Sequence, residues 1–247
     1  MKERLQKFLS RAGLVSRREG EQLIRTGRVS VNGQVVTTLG TRIETETDEV
    51  RVDGQPVSVP GRLRTIMLNK PEGYVSTLKD PQGRRQVSDL LNGVQERLYP
   101  IGRLDYDAAG LLLLTNDGEL AHRLMHPRFK VAKTYRVTVA GALSEAAVQQ
   151  LESGVEVAGR STAPALVRLL KVLAERTVLE LTIREGRYHQ VKRMCAQVGH
   201  PVLKLKRIAY GPLKLGRLPI GAYRELKTHE VAQLRKASGL PERDQLK

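Results

Sequence analysis

Few side chains in this sequence stand where type and spacing suggest chemistry, and the clearest is an acid. Asp105 lies in Ile101-Gly102-Arg103-Leu104-Asp105-Tyr106-Asp107-Ala108-Ala109-Gly110, which runs directly into Leu111-Leu112-Leu113-Leu114-Thr115. A carboxylate between glycines, just ahead of an apolar strand, can occupy a tight loop at the mouth of a core. Arg103 and Asp107 flank it at i−2 and i+2, so a turn held by local ion pairs is the plainer alternative. Other chemistries find less support. There is no G-x-x-x-x-G-K-[ST], no G-x-G-x-x-G after a strand and no H-E-x-x-H, so neither a cofactor nor a metal is expected. His122 and His126 fall i, i+4 on a short helix without a third ligand nearby, and read as surface or nucleic-acid-facing side chains. Cys195 lies on the apolar stripe of its helix and reads as packing. As a lone cysteine it cannot form an intrachain disulfide or a multi-cysteine zinc site.

Charge supplies a second signal. The 247 residues carry 42 Lys and Arg against 26 Asp and Glu, a formal net charge of +16. Such an excess attracts polyanions through steering and counterion release. Seven Tyr, two Phe and no Trp argue against an open stacking platform and favour a grip on the phosphates of a folded RNA or duplex. The excess is uneven: residues 1–36 carry +5, residues 37–62 carry −2 and residues 184–217 carry +8. A charged fraction of 28% beside 40% hydrophobic residues excludes a membrane protein and a fully disordered chain. The apolar run around Leu111–Leu114 falls far short of the ~20 residues of a spanning helix. No signal-like apolar run follows Met1, so a cytoplasmic protein is expected.

The elements that must position these residues follow from periodicity. Leu5, Phe8, Leu9 and Ala12 predict an amphipathic helix that Gly13 ends. Ser16 and Glu19 predict a capping box opening a second helix that buries Leu23 and Ile24. Asn32-Gly33 and Asp53-Gly54 each sit between short apolar runs, the hairpin signature. Residues 1–58 are expected to form one small domain, 59–63 a Pro/Gly linker, 64–240 a larger domain and 241–247 a short tail. In the larger domain, strands are expected at Ile66–Leu68, Leu111–Thr115, Tyr135–Val139, Ala165–Val172 and Thr177–Arg184. Helices follow at Leu120–Leu124, after Ser144 and, as the last clear one, at Val191–Val198. The irregular alternation predicts an α+β fold with a mixed, largely antiparallel sheet flanked by helices.

Three segments then carry a resemblance. Gly102-Arg103-Leu104-Asp105 before an apolar strand resembles motif II of the pseudouridine synthases, and Lys133-Thr134-Tyr135 resembles that family's tyrosine motif. Glu185-Gly186-Arg187-Tyr188-His189-Gln190-Val191-Lys192-Arg193-Met194 resembles its third motif. Residues 3–57 resemble an S4 RNA-binding domain and residues 63–240 the RsuA/RluB branch of catalytic domains. The stretches Tyr106–Leu112, Gly211–Leu213 and Gly221–Leu226 resemble RluB-type enzymes of large-subunit ribosomal RNA; RsuA-type enzymes of the 16S RNA share the plan.

The resemblance implies a cofactor-free isomerase that breaks a uridine's N-glycosidic bond, turns the base and rejoins it through carbon. It makes Asp105 the essential carboxylate, as nucleophile at the sugar or base at C2′, and Tyr135 the ring that stacks on a flipped uracil. Desolvation opposes an ionised Asp105, so a cation must sit close, with Lys192 favoured over Arg187. Arg103 would fill the space vacated in the RNA. Arg17, Arg18, Arg25 and Arg28 would grip phosphates, and Arg84 and Arg85 would lie on a finger loop closing over RNA. Arg187, Tyr188, His189, Gln190 and Lys206 are further candidate RNA contacts, with Lys204, Arg207 and Lys214 around the cleft. Ribosomal RNA is thus the expected partner of a monomer. The rivals are a non-catalytic S4-type binding or ribosome-assembly protein, and a methyltransferase, which would need a glycine-rich cofactor loop.

Overall fold

Strand β1 (Lys2–Arg4) leads into α1 (Leu5–Arg11), where Leu5, Phe8 and Leu9 at i, i+3, i+4 are all buried. The structure, a computed structural model, describes residues 2–59 and 61–241. Its contacts divide it into two units. The first runs to Arg64 and takes in Val94–Leu98 and Asn116–Gly118; the second comprises Thr65–Gly93, Tyr99–Thr115 and the chain from Glu119. Of the segments expected to be linker and tail, Pro60 and residues 242–247 lie outside the described residues.

In the first unit α2 (Arg17–Arg25) begins at the capping box read from the sequence. Glu19 N–H donates to Ser16 Oγ at 3.2 Å, and Ser16 N–H donates to Glu19 Oε2 at 2.9 Å. A cap of this kind stabilises a helix start by about 1 kcal/mol. β2 (Val29–Val31) and β3 (Gln34–Val35) turn at Asn32-Gly33, with φ of 51° and 80°. β4 (Arg42–Glu44) pairs with β1, while β5 (Val50–Val52) and β6 (Gln55–Pro56) turn at Asp53-Gly54 with φ of 50° and 78°. Positive φ at both central residues is what a two-residue hairpin demands, and Asn or Asp followed by Gly supplies it. The order β3-β2-β5-β6 sets Val29, Val50 and Val52 against Leu5, Leu9 and Ile24 of the helices.

The second unit is a mixed sheet. Its strands are β7 (Thr65–Lys70), β8 (Tyr99–Pro100), β9 (Ala109–Thr115), β10 (Lys133–Ala140), β11 (Glu156–Val157), β12 (Arg160–Ser161), β13 (Leu166–Val172), β14 (Arg176–Ile183), β15 (Val202–Tyr210), β16 (Leu213–Lys214) and β17 (Tyr223–Glu225). Helices α3 (Gly118–Met125), α4 (Glu145–Ser153), α5 (Gln190–Gln197) and α6 (Thr228–Ala237) complete it. The main sheet runs β13-β14-β10-β15-β9-β7-β17, with β16 on β15 and β8 on β9; β11 and β12 form a separate pair. Every one of these pairings is antiparallel except β15 with β9, so two antiparallel halves meet at one parallel seam. β7 is buried at all six positions, and Leu111–Leu114 of β9 are each fully buried, as expected of strands covered on both faces.

The two longest elements absent from the sequence reading are β15 and α6. β15 was expected only as a basic stretch, yet it is a nine-residue strand at the middle of the sheet. A register shift where β10 passes from Thr134 to Tyr135 leaves one extra residue, Ile208, on β15, and this breaks the alternation by which strands are recognised. After α5, α6 adds a further helix. Leu234 is its one fully buried apolar residue, with Val231 partly buried beside it, a stripe too thin to declare itself in sequence.

Candidate active site

Asp105 is placed by a loop whose backbone is held from below. Leu104 and Ala108 are buried and anchor it. Ser76 Oγ donates to the Leu104 carbonyl at 2.8 Å and accepts from Leu104 N–H at 3.0 Å. The Lys70 ammonium, fully buried at the end of β7, donates to the carbonyls of Asp105 (3.0 Å), Ala108 (2.7 Å) and Pro71 (2.9 Å). Burial lowers the Lys70 pKa to about 8, against the opposing attraction of Asp105. A lysine at a strand end is ordinarily a surface residue, so the sequence carries no sign that Lys70 is buried here.

The floor comes from β10 and β15. Tyr135 and Arg207 are direct register partners across these strands, and Lys133 partners Tyr210. The extra residue on β15 brings Arg207 and Tyr210, three positions apart, to the same side as Lys133 and Tyr135. Arg207 is 2% exposed and its Nε donates to the Leu111 carbonyl at 2.7 Å. Its guanidinium carbon lies 5.1 Å from the Tyr210 ring centre and 6.0 Å from that of Tyr135. Burial and then the charge of Arg207 lower the Lys133 pKa to about 8, and burial pushes the Tyr210 hydroxyl up to about 12. On its other side Arg207 partners Gly110, where an added Cβ would fall 2.2 Å from the Arg207 carbonyl oxygen. Gly110, at φ 107°, is therefore required both by conformation and by the closeness of the seam.

The third wall is the start of α5. His189, at φ 52°, forms the N-cap and brings Nε2 to 3.5 Å from Asp105 Oδ1. Lys192 Nζ stands 3.9 Å from Asp105 Oδ2, but its hydrogen bonds go to Asp107, at 2.5 and 2.6 Å. Hydrogen bonding to Lys192 holds the Asp107 carboxyl below its ordinary range. Arg187 turns elsewhere, to Glu185 (3.2 Å) and to the carbonyls of Arg160 (3.2 Å) and Ser161 (2.8 Å), so it is not the counter-charge of Asp105. Gln190 is buried. Its amide donates to Glu185 at 2.6 Å and accepts from Arg187 N–H at 2.9 Å, bracing the turn from within instead of facing outward. Tyr188 is 60% exposed and stacks on His189 with ring centres 3.8 Å apart.

These walls enclose a pocket of about 390 Å³, lined among others by Arg103, Asp105, Lys133, Tyr135, His189 and Arg207. Arg103 and Asp105 both reach it, and so does Leu104 between them, which is 6% exposed. Lys206 lies between Leu205 and Arg207, both of which line the pocket, and so points to the opposite face of the sheet. Arg84 is exposed and paired with Asp80 at 2.7 Å, and this pairing holds Asp80 down to about 2. Arg85 lies 6.0 Å from the Tyr74 ring centre. In the first unit Arg17, Arg18 and Arg25 are exposed, and Arg28 is exposed but holds Asp53 through two hydrogen bonds of 2.9 and 2.5 Å. His122 and His126 are exposed, and among the described residues no group of three or more His, Cys, Asp or Glu could hold a metal ion. Cys195 is buried, which pushes its thiol up to about 12. No helix among the described residues is long and apolar enough to cross a membrane.

A carboxylate at the mouth of a concave pocket, with aromatic rings and cationic side chains in its lining, makes this the candidate ligand site of the second unit. Comparison with known proteins gives the class. Residues 64–197 match the family described as RNA pseudouridylate synthase and residues 3–50 match the S4 domain, and the chain belongs to the RNA pseudouridylate synthase family. It is 48% identical to an uncharacterized RNA pseudouridine synthase of Aquifex aeolicus, over 97% of this chain and 96% of that one. It is 46% identical to ribosomal large subunit pseudouridine synthase B of Bacillus subtilis, over 94% and 96%. A solved structure described as a pseudouridylate synthase superposes with a TM-score of 0.69 at 33% identity, covering 94% of this chain and 99% of that one. The resemblance carried by Gly102–Asp105, Lys133–Tyr135 and Glu185–Met194 is thus borne out for the family, its S4 module and its synthase activity.

Proposed function

We propose that this protein isomerises a uridine of large-subunit ribosomal RNA to pseudouridine, with Asp105 as the reacting carboxylate. The observation that carries this reading is the setting of Asp105. It lies at a pocket mouth with Lys192 Nζ at 3.9 Å and His189 Nε2 at 3.5 Å, while Lys70 grips the loop backbone. Attack at C1′ and proton removal at C2′ both call on a carboxylate oxygen that reaches the bound nucleotide, and the pocket lining includes Asp105. Extruding the uridine costs a few kcal/mol of unstacking, repaid by Tyr135 under the base and Arg103 in the space left behind. The basic surface of residues 1–58 supplies affinity without sequence reading, and residues 64–240 carry the chemistry. The large-subunit substrate is supported by the relatives from Bacillus subtilis and Vibrio cholerae, both named ribosomal large subunit pseudouridine synthase B.

Ribosomal RNA carrying tritium at uridine C5 tests this directly. The purified protein should release tritium from large-subunit RNA, and Asp105→Asn should be silent while binding the RNA as tightly. Mapping pseudouridines in a strain lacking the gene should show one large-subunit position lost. Loss of a small-subunit position instead, or release by Asp105→Asn at the wild-type rate, would overturn the reading.

A further inference from the structure

Arg207 is buried in the pocket wall with donor capacity that the fold does not use. Its Nε is bonded to the Leu111 carbonyl, whereas Nη2 is buried without an acceptor among the described residues. A guanidinium cannot shed its charge, and a buried donor left unpaired is unfavourable, so such an arrangement calls for an acceptor supplied from outside. The site is also rigid: the seam at Gly110 fixes the Arg207 backbone, and two aromatic rings flank its head.

We propose that Arg207 Nη2 donates to a ring carbonyl oxygen of the flipped uracil, which makes Arg207 a base-reading residue; this rests on the function proposed above. Depth supports it. The Asp105 side chain, which must meet the ribose, is 26% exposed, and Arg207 is 2% exposed, so a base attached to that ribose extends inward to Arg207. Position supports it too, because Arg207 is the cross-strand neighbour of Tyr135 and both line the pocket that the base would enter. The chemistry selects the ligand. Uracil offers acceptors at O2 and O4; cytosine keeps O2 but carries a donor amino group in place of O4, so Arg207, which has only donors to offer, tells the two bases apart where it meets O4. A donor already desolvated and held in place discriminates against a base that cannot accept from it.

The test pairs the residue with the substrate atom. Single-turnover rates are measured for the full-length protein on RNA whose target uridine is replaced by 2-thiouridine or 4-thiouridine, sulfur being the weaker acceptor. One of the two should slow the wild type by about tenfold, the loss of a hydrogen bond from a charged donor. Arg207→Met should be slow on uridine yet insensitive to that same sulfur. A purely structural arginine would leave the thio effect equal in wild type and variant, and this overturns the proposal, as does a wild type indifferent to both sulfurs. If Arg207→Met does not fold, Arg207→Lys replaces it; its thio effect should be smaller than that of the wild type, and an equal effect overturns the proposal. Conversion of unmodified uridine by the wild type, with Asp105→Asn silent, keeps the proposed function standing whatever the sulfur series shows.

Discussion

Lys192 reaches two carboxylates and hydrogen-bonds one of them: its Nζ lies 2.6 Å from Asp107 Oδ2 and 3.9 Å from Asp105 Oδ2. The sequence singled out Lys192 as the partner of Asp105. In the structure it serves as a cation near Asp105 that Asp107 holds in position, which separates the charge from the hydrogen bond. Lys192→Met should therefore slow single-turnover isomerisation by about tenfold or more, since a charge a few ångströms away acts on Asp105. Asp107→Asn should slow it less, because it loosens Lys192 without removing it. Asp107 is largely exposed, so neither change should alter unfolding free energy by more than about 1 kcal/mol. A Lys192→Met enzyme at full rate would remove Lys192 from the mechanism.

Gly110 and Gly102 both have positive φ, yet substitution should separate them. An alanine Cβ at Gly110 would collide with the backbone of Arg207, while at Gly102 it meets no atom within 4 Å. Gly110→Ala should destabilise the protein by roughly 3 kcal/mol or more, through overpacking of the seam. Gly102→Ala should cost about 1–2 kcal/mol, through conformation alone. Urea unfolding of the two variants measures this, and equal losses would contradict the tight seam.

Lys70 and Lys133 have folded-state pKa values of about 8, below the ordinary 10.5. Between these values the unfolded chain binds a proton that the folded protein has released at each site. Unfolding free energy then rises with pH through their contribution, from about 8 to about 10.5. The double variant Lys70→Met/Lys133→Met lacks that contribution. The difference in stability, wild type minus variant, should grow in favour of the wild type across this window. Urea titrations at several pH values read it out, and a difference that stays flat or falls would show that these ammonium groups are not desolvated.

The S4 arginines should not be equivalent. Replacing Arg17, Arg18 or Arg25 by Ala should weaken RNA binding alike for different sequences and lower the salt slope by about one each. Arg28→Ala should do less, because its guanidinium is already engaged by Asp53. Filter binding at several salt concentrations distinguishes them, and a full unit of slope lost with Arg28 would show that it leaves Asp53 for phosphate.

By itself the sequence determined much of what depends on near neighbours in the chain. The Ser16–Glu19 capping box, the Asn32-Gly33 and Asp53-Gly54 turns, the buried run of Leu111–Leu114 and the placing of Asp105 just ahead of it follow from local sterics and periodicity. The order of its three motifs carried the family. Only the tertiary structure decided which charged groups meet. Arg207 is 102 residues from Asp105 in sequence, and a basic strand with a bulge gives no local sign that one of its arginines will be buried. Lys70 becomes the support of the Asp105 loop only because β7 and β9 pair Lys70 with Gly110. Lys192 turns to Asp107 and Gln190 turns inward because the start of α5 is fitted against these strands. Burial and pairing are properties of surfaces brought together from distant segments, and a one-dimensional pattern records which residues are available to meet, but not which of them do.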